Sequence, residues 1–354
     1  MKFRKQKIAG FLLITLIFLF LLHTEAKGGE GEEILKKTLE TEGMINLSGS
    51  CYTASFMKPY EFSNNVRVFW KKPNRIRMEY FAGDTLRMIF ITTKDKSWQF
   101  SPADNIVFFK ELSPQTKEVE KRKQDLLLSN YEVKIIGRES IAGRDAIVIK
   151  VGCKYPSRPS KKIWIDDKTD VILKSEQYNS NGDLMLLTYF KRVNYNPFLD
   201  DIHFRPPQGR IIRLVSENET KSFSPEDLSK MVGFKVVLPS FLPEGYTLEG
   251  CYLYRCGCGV DMAHLRYFDG LNSISIFQGK KDCPICSEDQ RRGFFRRRMG
   301  MMGRRGMRCA PRECELLEQR QERVSAFTDR DLRFVIIGDI SEKELNKLAQ
   351  GLRK

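Results

Sequence analysis

From Cys51 onward, apolar and polar residues alternate in one short run after another. Val66, Val68 and Trp70 alternate with Arg67 and Phe69, and Ile76, Met78 and Tyr80 alternate with Arg75, Arg77 and Glu79. Leu86, Met88 and Phe90 continue the rhythm, although Ile89 and Ile91 weaken it, and Trp98 with Phe100 and Val107 with Phe109 extend it. A period of two with charges on the second face predicts antiparallel strands with one dry side. Lys72-Pro73-Asn74 and Pro102-Ala103-Asp104-Asn105 punctuate the runs as turns. A polar helix over 115–129 interrupts the series. Strands then resume at Glu132–Ile136, Ala146–Val151, Lys161–Asp166, Val171–Tyr178 and Leu184–Val193, joined in part by Gly143-Arg144-Asp145 and Asn181-Gly182-Asp183 hairpin turns. Ahead of all of them, Ile34, Leu35, Leu39 and Met44 have the approximate spacing of a helix over 31–44.

This block closes at Phe204-Arg205-Pro206-Pro207. About ten strands with two helices amount to an α+β arrangement: one large, curved, mostly antiparallel sheet with helices over its concave side. Residues 208–235 are polar and read as a linker with a short helix after Ser224-Pro225-Glu226-Asp227. A smaller α+β domain follows over 236–354. Its strands are expected at Val236–Leu238, Leu248–Arg255, Ala263–Phe268, Ile274–Gln278, Val324–Thr328 and Leu332–Ile337. Its last element is a helix capped by Ser341, with Glu344 completing a capping box.

The first 26 residues do not belong to this pattern. Lys2, Arg4, Lys5 and Lys7 precede an apolar run from Ile8 to Leu22, broken only by Thr15, and Thr24-Glu25-Ala26 offers a small residue for cleavage. These are the three parts of a secretory signal peptide. The run falls short of the ~20 residues that span a bilayer, so cleavage near Ala26 and release are expected, with no transmembrane segment in the mature chain. Export changes how the rest reads. A formal net charge of +15 over 354 residues points to acidic partners, and export turns that expectation from nucleic acid to anionic headgroups, lipopolysaccharide phosphates or an acidic peptide.

Nine cysteines in an exported chain favour disulfides, and the odd number leaves one unpaired or bound elsewhere. Cys51 and Cys153 are the two of the first domain; a bond between neighbouring strands is the plain reading and two buried thiols the alternative. The other seven are Cys251, Cys256, Cys258, Cys283, Cys286, Cys309 and Cys314. Cys256 with Cys258, and Cys283 with Cys286, form two short-spaced pairs that suit disulfides, a structural zinc or a redox thiol; no other cofactor is suggested. Residues 291–312 carry Arg291, Arg292, Arg296, Arg297, Arg298, Arg304, Arg305, Arg308 and Arg312 without an acid, which reads as a solvated loop or as an arm for an anionic partner. His203 and His264 stand alone and suit structural roles. No Ser/His/Asp set, acid pair or phosphate-cradling glycine loop stands out, so an enzyme is not expected.

Several stretches together resemble a known family. Trp70-Lys71-Lys72-Pro73-Asn74-Arg75-Ile76-Arg77, Lys96-Ser97-Trp98-Gln99-Phe100-Ser101-Pro102, Gly137-Arg138-Glu139-Ser140-Ile141-Ala142-Gly143-Arg144-Asp145-Ala146, Ile163-Trp164-Ile165-Asp166 and Phe204-Arg205-Pro206-Pro207 follow in the order of the LolA-like fold, an unclosed barrel that binds acyl chains. The nearest version is the N-terminal domain of the RseB/MucB family. Leu242-Pro243-Glu244-Gly245-Tyr246, Tyr267–Ile276 and Val335–Ile340 resemble that family's small C-terminal domain, with 280–322 as a Cys/Arg-rich insertion. The resemblance implies a non-catalytic periplasmic regulator of sigma-E type envelope-stress signalling. It implies binding of the anti-sigma factor's periplasmic segment, and of acyl chains of lipid, lipoprotein or lipopolysaccharide. The alternative is a lipid or lipoprotein carrier without signalling. The acyl site is expected along Val66, Val68, Trp70, Ile76, Met78, Tyr80, Met88, Phe90, Trp98 and Phe100, because a helix of about 14 residues does not fill so wide a concavity.

Overall fold

A computed structural model describes residues 28–41, 43–57, 61–112, 117–213, 222–255, 260–281 and 323–353. The signal segment and the run 282–322, with its arginines and Cys283, Cys286, Cys309 and Cys314, lie outside the described residues, as do Cys256 and Cys258. No described helix is long and apolar enough to cross a membrane.

The alternating runs form strands, as the pattern predicts. Helix α1 (Gly28–Thr41) leads into β1 (Leu47–Ser55), β2 (Phe62–Lys71), β3 (Arg75–Ala82), β4 (Thr85–Thr92), β5 (Lys96–Ser101) and β6 (Ile106–Glu111). After α2 (Lys117–Asn130) come β7 (Tyr131–Ile141), β8 (Arg144–Cys153), β9 (Ser160–Asp166), β10 (Ile172–Tyr178) and β11 (Leu184–Asn194). A 3₁₀ turn at Asp201–Phe204 and β12 (Arg210–Arg213) finish the unit.

All twelve strands make one sheet, ordered β12-β6-β5-β4-β3-β2-β1-β11-β10-β9-β8-β7. Two runs of sequential hairpins meet where β1 pairs with β11. The pairing is antiparallel except at β12, which lies parallel to β6. The edges β7 and β12 do not pair with each other, so the barrel is unclosed. The sheet nevertheless bends: β7 approaches β11, which in a flat sheet would lie about 19 Å away at ~4.8 Å per strand. Helix α1 lies tight on β7, with Leu35 and Thr38 buried. A Cβ at Gly31 would meet the Val133 carbonyl oxygen at 2.7 Å, so the glycine permits this contact.

The second unit contains α3 (Pro225–Val232), β13 (Thr247–Arg255), β14 (Asp261–Phe268), β15 (Ser273–Lys280), β16 (Arg323–Asp329), β17 (Leu332–Gly338) and α4 (Glu342–Gly351). Its sheet runs β13-β14-β15-β17-β16, and Leu265, Ile276, Phe334 and Ile336 pack with Leu228, Val232, Leu345 and Leu348 of α3 and α4. The caps are those the sequence announces. The Ser224 hydroxyl accepts from Asp227 N at 3.0 Å, Gly233 ends α3 in the left-handed region at φ 72°, and Ser341 with Glu344 forms the capping box.

Two expectations need correction. The stretch 208–235 is more than a linker with a helix, because 210–213 add a strand to the first sheet. Val236–Leu238 forms no strand and belongs to no sheet. A side chain takes the place of a neighbouring strand: Val237 N donates to Gln278 Oε1 at 2.9 Å and Gln278 Nε2 donates to the Val237 carbonyl at 2.6 Å. Gln278 is fully buried. Gln278→Leu would leave both backbone groups dry and unpaired, at an expected cost of about 2–3 kcal/mol. Urea unfolding tests this, and an unchanged midpoint would show that the amide is dispensable.

The two units meet in a dry polar junction at the end of α2. Asn130 Nδ2 donates to the carbonyls of Gly245 and Asp269, each at 2.8 Å. The Tyr131 hydroxyl donates to Asp269 Oδ2 at 2.7 Å and accepts from Asn272 Nδ2 at 2.7 Å. Asp269 Oδ1 accepts from the backbone of Leu271 and Asn272 at 2.9 and 2.6 Å. All four side chains are buried, and burial together with the Asp269 carboxylate pushes the Tyr131 hydroxyl pKa up. Nearby, the buried Arg158 guanidinium binds both carboxylate oxygens of Glu344 in α4, one at 2.6 Å. Gly270 at φ 103° lies so close to α2 that a Cβ would fall 2.4 Å from Leu127 N.

Candidate functional site

Cross-strand partners share a face of a sheet, and so do residues two apart on one strand. Val66 pairs with Tyr80, Val68 with Met78 and Trp70 with Ile76; Tyr80 then pairs with Met88 and Met78 with Phe90. Eight of the ten residues expected at the acyl site therefore lie together on β2–β4. Val66 and Val68 are buried, and the other six are half-buried. The Tyr80 and Phe90 rings meet edge to face at 5.4 Å, and the Tyr80 hydroxyl lies 3.8 Å from Met78 Sδ. Leu47, Cys51, Leu173 and Phe190 join Val66 and Val68 in one cluster, with Trp70, Met78 and Tyr80 packed against it. Cys51 was legible as a strand residue, but its place in this cluster needed the pairing of β1 with β2 and β11.

The helices lie over this same face at its far end. An unbroken row of partners runs Ile135, Ile149, Ile163, Ser175, Thr188, Thr53 and Asn64. Cys51 shares the Thr53 face and pairs with Val66, so the row and the β2–β4 stripe are continuous. Leu35 of α1, with Leu127 and Leu128 of α2, packs on Tyr131, Val133, Ile149 and Ile163 at the β7–β9 end of that face. Between the two apolar ends, Thr53 and Thr188 share a hydrogen bond of 2.9 Å.

Trp98 and Phe100 are on the other side. They pair with Ile91 and Ile89, which alternate with Phe90. There they pack with Phe69, Leu199 and Phe204 in a separate cluster. Alternation places residues within one strand; the phase between strands depends on the turns, and the β4–β5 turn shifts it.

Cys51 and Cys153 are not on neighbouring strands. Three strands separate β1 from β8, beyond the ~4.4–6.8 Å Cα window of a disulfide, and both thiols are free. Cys251, expected oxidised or metal-bound, is also a free thiol, buried in the core of the second unit. Burial pushes the Cys51 thiol up to about 12 and raises Cys153 and Cys251, so these thiols stay protonated. His264 stacks on Phe277 at 4.3 Å with Nε2 3.0 Å from Ser275 Oγ; burial first, then Arg266, lowers its pKa to about 3. It is a neutral structural ring.

An unclosed, largely antiparallel barrel with helices on one face, joined to a smaller helix-backed sheet, defines an α+β protein of the LolA-like class with an appended domain. Residues 78–207 match the MucB/RseB N-terminal domain family. A curated relative, the sigma factor AlgU regulatory protein MucB of Pseudomonas aeruginosa, is 27% identical over 152 residues. That match covers 43% of this chain and 45% of the relative, so it spans under half of the relative's length. The MucA/MucB complex of Pseudomonas aeruginosa is similar in structure, with a TM-score of 0.56 at 13% identity, covering 92% of this chain and 98% of that one. MucB in complex with MucA(peri) gives 0.55 at 14% identity, over 91% and 97%. Residues 78–207 thus resemble the MucB/RseB N-terminal domain, and over the whole chain the likeness to MucB is one of fold.

Proposed function

We propose that this protein is an exported, periplasmic, non-catalytic regulator of sigma-E type envelope-stress signalling. It holds the periplasmic segment of an anti-sigma factor and responds to an acyl ligand seated on the β2–β4 face. The observation that carries the regulatory part is the family match over residues 78–207, with a relative described as a sigma factor regulatory protein. The lipid part rests on geometry. Helices α1 and α2 pack at the β7 end, while Trp70, Ile76, Met78, Tyr80, Met88 and Phe90 stay half-buried at the other end of the same face. An acyl chain laid there would complete their removal from water, at ~25 cal/mol per Å². The arginines from 291 to 312 supply cations toward an acidic partner.

The test uses the mature protein and the periplasmic segment of an anti-sigma factor from the same organism. A saturable complex is expected by calorimetry. Met78→Lys with Phe90→Asp is expected to abolish the change in tryptophan fluorescence on adding a fatty acid. If no complex forms but an outer-membrane lipoprotein is bound and passed on, the carrier reading replaces this one. If the fluorescence change survives in the variant, the acyl site is elsewhere.

A further inference from the structure

The segment joining β11 to β12 presents two apolar side chains to solvent from a stiff support. Phe198 is 96% exposed and Ile202 is 62% exposed. Single exposed hydrophobic residues are ordinary on protein surfaces. This pair differs in how its backbone is held. Leu199 and Phe204 anchor the segment in the cluster with Ile89 and Ile91, on the side of the sheet away from the β2–β4 stripe. Lys71 Nζ donates to the Leu199 carbonyl at 2.9 Å and also pairs with Asp201. Arg75 Nη1 binds Asp201 at 2.7 Å, and Arg77 Nη1 donates to the His203 carbonyl at 3.0 Å. Asp200 caps the 3₁₀ turn by accepting from Ile202 N at 3.2 Å. Three basic side chains from β2 and β3 thus fix the backbone that carries Phe198 and Ile202.

The same contacts set the charge of the rim. The β2–β3 turn lies beside the segment and brings Lys71, Lys72 and Arg75, and Arg205 follows directly after Phe204. Lys72 and Arg205 are exposed. Against these stand Asp200 and Asp201, and Asp201 is already engaged by two of the cations, which hold its carboxyl below the usual range. The rim is net positive.

We propose that this tip docks the protein onto an anionic phospholipid surface, with Phe198 and Ile202 entering the headgroup–acyl boundary and Lys72 and Arg205 meeting lipid phosphates. The chemistry fits a bilayer better than a protein groove. Two exposed apolar side chains flanked by exposed cations match an interface that is apolar beneath and anionic above. Because the support is preformed, insertion orders little new backbone. The proposal stands apart from the acyl site, since the residues anchoring the tip pack on the opposite side of the sheet from the β2–β4 stripe.

The experiment is co-sedimentation of the mature protein with vesicles of phosphatidylglycerol and phosphatidylcholine, compared with phosphatidylcholine alone. Binding is expected with the mixed vesicles, weakened by salt. Phe198→Ser with Ile202→Ser should lower it at least about tenfold with little change in melting temperature, since the two side chains are 96% and 62% exposed. Phe198→Trp provides the second readout. Brominated lipids should quench its added fluorescence relative to the parent protein, which separates insertion at the tip from charge attachment through arginines elsewhere. Equal vesicle binding by parent and double variant, an unquenched tryptophan, or no binding of the parent to anionic vesicles would each overturn the proposal.

Discussion

Asp269→Ala is expected to destabilise the protein by about 4 kcal/mol. The carboxylate is 1% exposed and accepts three hydrogen bonds, from the Tyr131 hydroxyl and from the backbone of Leu271 and Asn272. Alanine removes every acceptor and leaves three dry donors, each costing ~1–3 kcal/mol before relaxation. The network is shared between units, since Tyr131 begins β7 and Asp269 lies in the loop after β14. The loss is therefore expected in the docking of the units as well as in global stability. Tyr131→Phe removes one hydroxyl from the same network and should cost less, about 1–2 kcal/mol. Denaturant unfolding measures both, and limited proteolysis reports the exposure of the segment between them. A stability for Asp269→Ala within ~0.5 kcal/mol of the parent would mean the junction is not closed in solution.

The second large effect is expected at Arg158. Its side chain is 1% exposed, it lies 5.5 Å over the Tyr246 ring, and it binds Glu344 with both guanidinium arms. Removing the buried partner of such a pair costs more than the pair contributes, because Glu344, with only 23% of its side chain exposed, loses the cation that offsets its burial. Arg158→Met keeps the apolar stem and should cost about 3 kcal/mol at pH 7. The pH dependence identifies the cause. Burial raises the Glu344 pKa, but hydrogen bonds from Arg158 and Ser341 outweigh it and the carboxyl is held below its usual range. A depressed folded pKa gives stability that is present above the unfolded value of ~4.3 and is lost as pH falls through the folded value. The gap between parent and Arg158→Met should stay level from pH 7 down to about pH 5 and narrow below it. A gap of constant size down to pH 3 would assign the effect to packing alone.

The legibility of the site divides along similar lines. Eight stripe residues could be read because each strand announces its own dry face. The placement of Trp98 and Phe100 could not, because the phase of alternation restarts at every turn and is set by register. The Cys51–Cys153 pairing failed for a related reason. Strand membership was clear for both, whereas the closure of β1 onto β11 put three strands between β1 and β8. Gln278 reads as one more polar strand position, and nothing local marks it as the partner of Val237.

By itself the sequence determined what short-range forces decide: most of the strands and helices, and how the helices of the second unit are capped. Alternation at Val66–Trp70 and Ile76–Tyr80, the Ser224 and Ser341 caps and the Gly233 stop all act within a few residues. Tertiary structure alone decided the pairing of β1 with β11, the face taken by Trp98 and Phe100, and the addition of β12 to an edge. It also decided the Asn130–Tyr131–Asp269–Asn272 junction. Each joins residues distant in the chain, and their energies depend on distances and burial that exist only once the sheet has bent and the second unit has docked.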